Sequence, residues 1–379
     1  MTVEVRPLGV SCNIQCTYCY QEPQRTARAG PASFDMERIL AALERENAPF
    51  TVFGGEPLLL PREALEQLFE YGHRRFGRNA IQTNAVLLGE QHLAMLRRYN
   101  VSVGVSIDGP GPLNDARWAG SLEKTRTATE QSERAIELLC EEGIPPSLIT
   151  TLSKSNGTRE RLPILVDWFD SMARIGIKSV RLHILETESA EVSAALRLSD
   201  AEYIEAFKQL QPLSQRLGLD MFRDIDSLLR GSDKDVTCTF AGCDPLDTRA
   251  VRGIEGNGTI SSCGRTNKDG VDFVKATPST LSERMLALYY TPQTHGGCNG
   301  CRFFLACKGQ CPGTAIDGDW RNRSSDCAVW YSLFESAETR LLGAGEVPYS
   351  LRPDLAALEA AALSLWSKGD HVRIAKLIK

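Results

Sequence analysis

The sequence predicts an α/β fold built on a parallel sheet, followed by a small cysteine-rich domain and a helical C-terminal tail. Short β-branched runs alternate with helical apolar periodicity up to about residue 230. Residues 238–327 then carry eight of the twelve cysteines, with many glycines and little periodicity. Alternating strand and helix patterns are typical of repeated βα units around a parallel sheet. A short segment dense in cysteine is typical of a domain held together by metal.

Six runs rich in strand-forming residues define the first region. They are residues 3–10, 50–53, 80–83, 101–107, 147–152 and 179–185. Helical patterns lie between them: Ser33 can cap an apolar stripe that begins at Met36, and Pro61 suits the first turn of a stripe that begins at Leu65.

Further helical patterns follow the sixth run, at residues 200–217 and 221–229. The charged residues 231–235 are interpreted as a linker. A last apolar stripe runs from Leu355 to Leu365 at helical spacing. These changes divide the chain into residues 1–232, 233–330 and 331–379.

Composition limits the classes of partner and compartment. The chain has 379 residues, ordinary fractions of apolar and charged residues, and a net charge of -5. It has no basic footprint for nucleic acid or an anionic membrane, no apolar run of about 18 residues and no secretion signal. We therefore expect a cytoplasmic protein without nucleic-acid or membrane partners. In a reducing compartment, twelve cysteines indicate metal or redox work rather than disulfides.

Three of these cysteines crowd together directly after the first strand. Cys12, Cys16 and Cys19 have the spacing C-x3-C-x2-C. A closed zinc site or an ordinary iron-sulfur cluster takes four protein ligands, so three local thiolates suggest a cluster with one iron left open. The alternative is a loop of buried, redox-indifferent cysteines.

This spacing, with Tyr18 before the last cysteine, resembles the cluster loop of radical S-adenosylmethionine (radical SAM) enzymes. The resemblance implies that Cys12, Cys16 and Cys19 hold a [4Fe-4S] cluster whose open iron binds SAM. Reductive cleavage of SAM would then release a 5'-deoxyadenosyl radical. It also implies a partial (β/α)6 TIM barrel, with the site at the C-terminal ends of the strands.

Polar motifs follow the second, third and fourth strands: Gly54-Gly55-Glu56-Pro57, Gln82-Thr83-Asn84 and Ser106-Ile107-Asp108-Gly109. By the same resemblance, the first motif faces the SAM amino group, and the other two contact the methionyl or ribose portions. An arginine, Arg126 or less favoured Arg117, meets the SAM carboxylate. The expected cofactor-binding residues are Tyr18, Gly54, Gly55, Glu56, Gln82, Asn84, Ser106, Asp108 and Arg126. Each motif also has a purely structural interpretation, as a turn or, for Ser106, as a helix cap.

The later cysteines resemble the SPASM domain of radical SAM peptide maturases. The resemblance implies two interleaved sets of ligands for two auxiliary [4Fe-4S] clusters. Cluster I would take Cys238, Cys243, Cys263 and Cys311, and cluster II would take Cys298, Cys301, Cys307 and Cys327. Taken alone, C-x2-C followed by C-x3-C more often indicates structural zinc. Cys140 is interpreted as a core residue, and His183 as a structural histidine that could face the barrel mouth.

Two departures from the family pattern bear on the substrate. Sulfatase-maturing members have an aspartate base directly after the cysteine of a Gly-x4-Cys motif, whereas Gly264 and Arg265 follow Cys263 here. Many peptide maturases also carry an N-terminal leader-binding segment, whereas the cysteine loop here begins at residue 12. We therefore expect leader recognition, if used, to come from another chain or surface.

The resulting hypothesis is a radical SAM/SPASM enzyme that abstracts hydrogen from a residue of a ribosomally made peptide or protein, giving a crosslink or an oxidation. The expected partners are this substrate, a separate leader-binding protein, and an electron donor such as flavodoxin or ferredoxin. The enzymatic alternatives are formylglycine formation on a sulfatase and dehydrogenation of a small molecule. The non-enzymatic alternative is a zinc-stabilised scaffold.

Overall fold

The protein is described by a computed structural model, which covers residues 2–27, 33–187, 189–234, 236, 238–245, 250–266 and 282–378. Its strands are β1 Thr2–Arg6, β2 Phe50–Val52, β3 Asn79–Thr83, β4 Val101–Ser106, β5 Ser147–Leu152, β6 Ser179–Ile184, β7 Gly218–Leu219, β8 Val251–Glu255 and β9 Ile260–Ser262. The first helices are α1 Glu22–Ala27, α2 Met36–Glu46, α3 Arg62–Phe76, α4 Glu90–Arg98, α5 Leu122–Glu141, α6 Leu162–Arg174 and α7 Ala190–Leu196. The later helices are α8 Asp200–Leu210, α9 Asp220–Leu229, α10 Glu283–Tyr290, α11 Phe304–Cys307, α12 Cys327–Gly343, α13 Leu355–Trp366 and α14 Ile374–Leu377.

The strands form one sheet in the order β7-β6-β5-β4-β3-β2-β1-β8-β9. Strands β1 to β6 lie beside one another in chain order and run parallel, as right-handed βα repeats require. All six predicted strands are present, so the predicted α/β fold with a parallel sheet is confirmed. The described sheet remains open between β7 and β9.

Local chemistry explains where some elements begin and end. Strand β1 stops at Arg6 rather than at residue 10, because Pro7 has no N–H to donate and the chain turns there, with Gly9 N–H bonding to the carbonyl of Arg6. Helix α2 is capped by Asp35, whose carboxylate accepts the N–H of Arg38 at 3.1 Å. The prediction of Ser33 as this cap was wrong.

One residue of the segment predicted as a linker, Asp233, packs against the C-terminal part of the chain. Asp233 is buried, and its carboxylate accepts the backbone N–H of Ile374 at 2.7 Å at the start of α14. The segment 231–235, interpreted from the sequence as a linker, is therefore anchored to the fold at Asp233, and Asp235 lies outside the described residues.

The sheet also continues past the predicted domain boundary at 232/233. Strand β8 pairs in parallel with β1 over the whole length of both strands, and β9 pairs antiparallel with β8. Inside this junction, the buried Arg6 forms an ion pair with Glu255 and donates to Ser261 Oγ at 2.7 Å. Helix α12 likewise runs through the boundary predicted at 330/331. The three-part division of the chain stays a prediction.

Among the described residues, no helix is long and apolar enough to cross a membrane.

Candidate active site at the C-terminal ends of the strands

The loop that carries Cys12, Cys16 and Cys19 lies between β1 and α1. Neighbouring backbone fixes its path: Gln15 N–H donates to Trp118 O at 2.6 Å, and Thr17 N–H donates to Ala116 O at 2.8 Å. Burial raises the pKa of Cys16 to about 12, and the nearby thiols of Cys19 and Cys12 add to that rise. All three cysteines also line one cavity, as a shared cluster requires.

The Gly54-Gly55-Glu56 turn packs directly on this cysteine loop. Gly55 N–H donates to Gly9 O at 2.9 Å, and Glu56 N–H donates to Ser11 O at 2.8 Å. A Cβ atom on Gly55 would lie 2.0 Å from Ser11 O, and one on Gly54 would lie 2.6 Å from Gly9 O. The glycines are thus required by the close approach of the two loops, while their backbone lines the cavity described below.

The carboxylate of Glu56 is directed away from the cavity. It is 1% exposed and accepts from Leu58 N–H at 2.9 Å, Thr83 Oγ1 at 2.6 Å and Asn84 N–H at 2.8 Å. Burial raises the pKa of this carboxylate, and these hydrogen bonds oppose the rise. Glu56 therefore organises the end of β3, and it is not among the residues that line the cavity.

Three other motif residues line the cavity and bond to their neighbours. Gln82 Nε2 donates to Ser106 Oγ at 2.8 Å across β3 and β4. Asn84 Nδ2 donates to Asn13 Oδ1 at 2.7 Å and lies 3.7 Å from Cys12 Sγ. Asn84 thus connects the end of β3 to the cysteine loop.

Asp108 forms the centre of a buried polar cluster behind the cavity wall. Its carboxylate accepts the Tyr18 hydroxyl and the Thr151 N–H, and Arg117 Nη1 lies 3.9 Å from it. Arg117 Nη1 also donates to the Tyr18 hydroxyl at 3.0 Å. Tyr18 and Arg117 line the cavity, whereas Asp108 does not.

The two arginines considered for the SAM carboxylate occupy different places. Arg126 forms a bidentate pair with Asp115, in which Nη2 lies 2.8 Å from Oδ2, and its side chain is 37% exposed. Arg126 does not line the cavity. Arg117 does, and its side chain is only 12% exposed.

One cavity of about 290 Å³ joins the cysteine loop to the cysteine-rich region. It is lined by Cys12, Cys16 and Cys19 on one side and by Cys238 and Cys263 on the other. Residues of both β1 and β6 contribute to its wall, so the sheet curves far enough to bring strands five places apart around one space. This is the end of the sheet at which such folds build their sites.

The half of the cavity near Cys263 contains charged residues that the sequence analysis did not assign to the site, and it also contains His183, which was expected to be able to face it. Arg265 forms an ion pair with Glu186, and its Nη2 lies 3.4 Å from His183 Nδ1. Its guanidinium also lies over the ring of Tyr20, with 5.4 Å to the ring centre. Burial, Arg265 and Arg181 hold the pKa of His183 well below its usual range, so this imidazole stays neutral.

Glu4 on β1 is the other such residue. It lines the cavity, and its carboxylate has no hydrogen bond or ion pair within the described part of the chain. Burial raises its pKa, and Arg6 and Arg265 oppose that rise. In the sequence, the one indication of this carboxylate was the alternation of side chains along β1. Glu4 lies between Val3 and Val5, so its side chain is on the other face of the sheet from theirs.

The later thiols separate into two groups. Burial raises the pKa of Cys243 well above its usual range, and Cys263, Cys238 and Cys311 add to the rise. Cys307 is affected in the same way by burial and then by Cys298, Cys327 and Cys301. The two groups coincide with the two ligand sets that the SPASM resemblance implies.

The donor set of both groups suits iron-sulfur clusters. All eight side chains are thiols, the ligands that such clusters take, and each group offers four of them. Among the described residues, no three histidine, cysteine, aspartate or glutamate side chains converge on a site for a single metal ion.

A family model and several known proteins are similar to the first region of the chain. Residues 7–168 match the family model described as the radical SAM superfamily. A serine-type anaerobic sulfatase-maturating enzyme of Bacteroides thetaiotaomicron is 34% identical over 126 residues, 30% of each chain. A cysteine-type enzyme of the same kind from Clostridium perfringens is 27% identical over 383 residues, covering 90% of this chain and 97% of that one.

The extent of the matches differs between relatives. In three curated relatives the match spans less than two thirds of their length, at 30%, 54% and 36%. Similarity of this extent describes part of those proteins only.

Solved structures show the same fold. A structure titled native anSMEcpe with bound AdoMet and Cp18Cys peptide superposes with a TM-score of 0.66 and 19% identity, over 90% of this chain and 98% of that one. Streptococcus suis SuiB bound to precursor peptide SuiA superposes with a TM-score of 0.53 and 16% identity, over 86% and 75%. At these identities the likeness concerns the fold alone.

Proposed function

We propose that this protein, whose residues 7–168 match the family model of the radical SAM superfamily, is a radical SAM/SPASM enzyme that modifies a residue of a peptide or protein. The observation that carries this proposal is the single cavity lined by both the cysteine loop and two cysteines of the second region. A substrate residue in that cavity would lie between the site of radical formation and an auxiliary cluster. Hydrogen abstraction there would lead to a crosslink or an oxidation.

The cysteine-loop end of the cavity is the proposed SAM site. When bound at Cys12, Cys16 and Cys19, a [4Fe-4S] cluster would supply the electron that cleaves SAM to a 5'-deoxyadenosyl radical. The backbone of Gly54 and Gly55 and the side chains of Gln82, Asn84 and Ser106 would bind the rest of SAM, since all of them line the cavity.

Arg117 and three motif residues complete the proposed SAM site. Arg117, rather than Arg126, would meet the SAM carboxylate, because it lines the cavity and a guanidinium binds carboxylates in a bidentate manner. Tyr18 and Asp108 hold Arg117 in place through the buried cluster. Glu56 positions the backbone of Asn84 instead of contacting SAM.

The eight later cysteines are proposed to hold two auxiliary clusters, in the two groups that their mutual electrostatic effects define. The group that contains Cys238 and Cys263 borders the cavity, so its cluster would accept an electron from the substrate or bind the substrate directly. The second group would pass that electron towards the surface. The full protein would then contain three [4Fe-4S] clusters.

A peptide substrate is supported by the neighbours of this fold. The anSMEcpe structure contains a bound peptide, and SuiB is bound to its precursor peptide. An electron donor such as flavodoxin or ferredoxin, a separate leader-binding protein and a reducing, cytoplasmic setting complete the proposal.

Formylglycine formation is the second candidate, favoured by the similarity to sulfatase-maturating enzymes. The residue directly after Cys263 argues against it, because Gly264 has no side chain to accept a proton, and the next residue, Arg265, is a cation already paired with Glu186. Two carboxylates line the same cavity: Glu186, which is paired with Arg265, and Glu4, on a different strand. We therefore rank another oxidation or a crosslink first.

Anaerobic reconstitution tests the proposal. The wild-type protein should be brown, bind about twelve irons per chain and convert SAM to 5'-deoxyadenosine when dithionite is added. Cys16→Ala is the matched control and should abolish that conversion. Stoichiometric zinc with negligible iron would instead favour the scaffold alternative.

Substrate identity requires a second measurement. Short peptides encoded beside this chain should be altered in mass only when SAM and reductant are both present. Uncoupled 5'-deoxyadenosine formation with every such peptide unchanged in mass would contradict the peptide-modifying assignment while leaving SAM cleavage intact.

A further inference from the structure

Arg284, in the first turn of α10, is the largest side chain with less than 2% exposure in the described part of the chain. A buried cation is costly, and the N-terminal end of a helix carries a partial positive charge that adds to this cost. An arginine in this place therefore needs strong compensation from its surroundings.

Backbone oxygens satisfy the whole guanidinium. Its Nε donates to Trp320 O at 2.8 Å, while the two terminal nitrogens donate to four further carbonyls. These four are Cys243 O at 3.5 Å, Lys308 O at 3.0 Å, Gly309 O at 3.3 Å and Asn322 O at 3.3 Å. Five donors thus meet five acceptors, which only the fork of an arginine can do.

The bonded carbonyls lie on the framework that joins the two proposed clusters. Cys243 belongs to the first group of thiols, whereas Lys308 and Gly309 lie in the short segment between Cys307 of the second group and Cys311 of the first. Arg284 therefore fixes the point at which the two groups interleave.

The charge of Arg284 has no carboxylate ion pair within the described ranges. Asp244 accepts its backbone N–H at 3.0 Å. The guanidinium instead bonds the carbonyl of Cys243 in the first group and those of Lys308 and Gly309, which directly follow Cys307 of the second group. The charge of Arg284 therefore lies next to backbone that carries proposed ligands of both groups.

We propose that Arg284 is the shared counterion of the two auxiliary clusters, and that its charge raises the reduction potential of both. This inference rests on the proposed function, since it requires the clusters to be present. Reduction adds one negative charge to a cluster, so a fixed positive charge between two clusters stabilises both reduced forms. Net charge and hydrogen bonding near the cluster are known determinants of such potentials. Arg284 would then be a positioning residue that eases electron transfer from the cavity into the second cluster.

The test is an EPR-monitored redox titration of the full chain, reconstituted anaerobically, with Arg284→Gln and Arg284→Lys beside wild type. Glutamine removes the charge, whereas lysine keeps the charge and loses the fork. We expect both auxiliary potentials to fall in Arg284→Gln and to stay near the wild-type values in Arg284→Lys. The signal that responds to added SAM is the internal control, and its potential should not move. Arg340→Gln, which breaks a pair with Asp226, controls for general destabilisation.

The outcomes separate the inference from the function. Full iron content with unchanged potentials in Arg284→Gln would overturn the inference alone. About four irons per chain in wild type would overturn the inference together with the auxiliary clusters. If Arg284→Gln loses its iron, the lysine variant decides: wild-type potentials support the counterion role, and lowered potentials refute it.

Discussion

The backbone N–H of Gly55 donates to the carbonyl oxygen of Gly9 at 2.9 Å and so holds the second motif against the cysteine loop. Two segments about 45 residues apart in the chain thus form one surface of the proposed SAM site.

Gly55→Ala should break this contact, because the added Cβ would lie 2.0 Å from Ser11 O, which is backbone and cannot turn away. We expect a loss of about 1–3 kcal/mol in stability and little or no SAM cleavage. Thermal melting and 5'-deoxyadenosine formation measure the two effects. Gly343→Ala is the matched control, since a Cβ there meets nothing within 4 Å, and it should melt at or above the wild-type temperature. Normal SAM cleavage by Gly55→Ala would show that the two loops are free to separate.

Glu56→Gln should lower the stability of the fold, and it should affect SAM binding only through that loss. The carboxylate accepts three hydrogen bonds, and a glutamine NH₂ cannot accept the N–H of Asn84. Leaving such a buried donor unpaired costs about 1–3 kcal/mol. Chemical unfolding should reveal this loss, whereas Glu63→Gln on the exposed first turn of α3 should not change stability. A variant of wild-type stability that has lost SAM affinity would mean that Glu56 contacts SAM directly.

The two arginine positions can be separated by SAM affinity. Arg117→Gln should weaken SAM binding by roughly 10- to 100-fold, the scale of a lost charge-assisted hydrogen bond. Arg126→Gln removes a half-exposed pair with Asp115 and should leave the affinity within about twofold. Equilibrium binding of SAM to the reconstituted variants measures both. The reverse order of effects would restore Arg126 as the carboxylate ligand.

Loss of the three cysteines in the N-terminal loop should abolish activity, whereas loss of a later cysteine should also lower stability. The Cys12, Cys16, Cys19 triple alanine variant should lose about a third of the iron and all SAM cleavage, yet remain folded, because the parallel sheet has its own apolar core. Cys307→Ala should lower the melting temperature and expose residues 238–327 to protease, because metal binding supplies folding free energy there. Equal destabilisation by both variants would show that the later cysteines are not a metal framework.

His92, which lies outside the proposed site, should make the stability of the protein depend on pH. Its Nδ1 accepts the N–H of Gly89 at 3.2 Å at the start of α4, and burial holds its pKa below the usual range. A lowered pKa in the folded state means that the unfolded state binds the proton more tightly. His92 therefore contributes stability above its ordinary pKa of about 6.5, and this contribution is lost as pH falls. Wild type should lose more stability than His92→Ala when melting is compared at about pH 8 and about pH 6. Parallel losses in the two proteins would exclude this role.

Much of the fold could be predicted from local pattern. The six parallel strands are visible as β-branched runs because each must bury both faces, and the cysteine loop is recognisable because its three cysteines are neighbours in sequence. The GGEP motif and the polar strand ends were also correctly identified as parts of one edge, since the C-terminal ends of parallel strands meet there.

Side-chain direction could not be predicted in the same way. Glu56 and Asp108 were expected to contact SAM, but both carboxylates satisfy donors inside the protein, which no spacing reveals. Arg126 is separated from the cavity by its pairing with Asp115, while Arg117 reaches the cavity from a loop. The choice between them depends on competing partners that come from other segments.

By itself, the sequence determined the parallel α/β order and the close spacing of the three thiols in the cysteine loop, because both depend on residues that are close along the chain. Only the tertiary structure decided that β8 joins the sheet beside β1, that Glu4 and Arg265 share a cavity with Cys16, and that Arg284 lies between two groups of thiols. These relationships join residues more than 200 positions apart or in separate segments, and they exist only because packing of the folded chain brings the segments together.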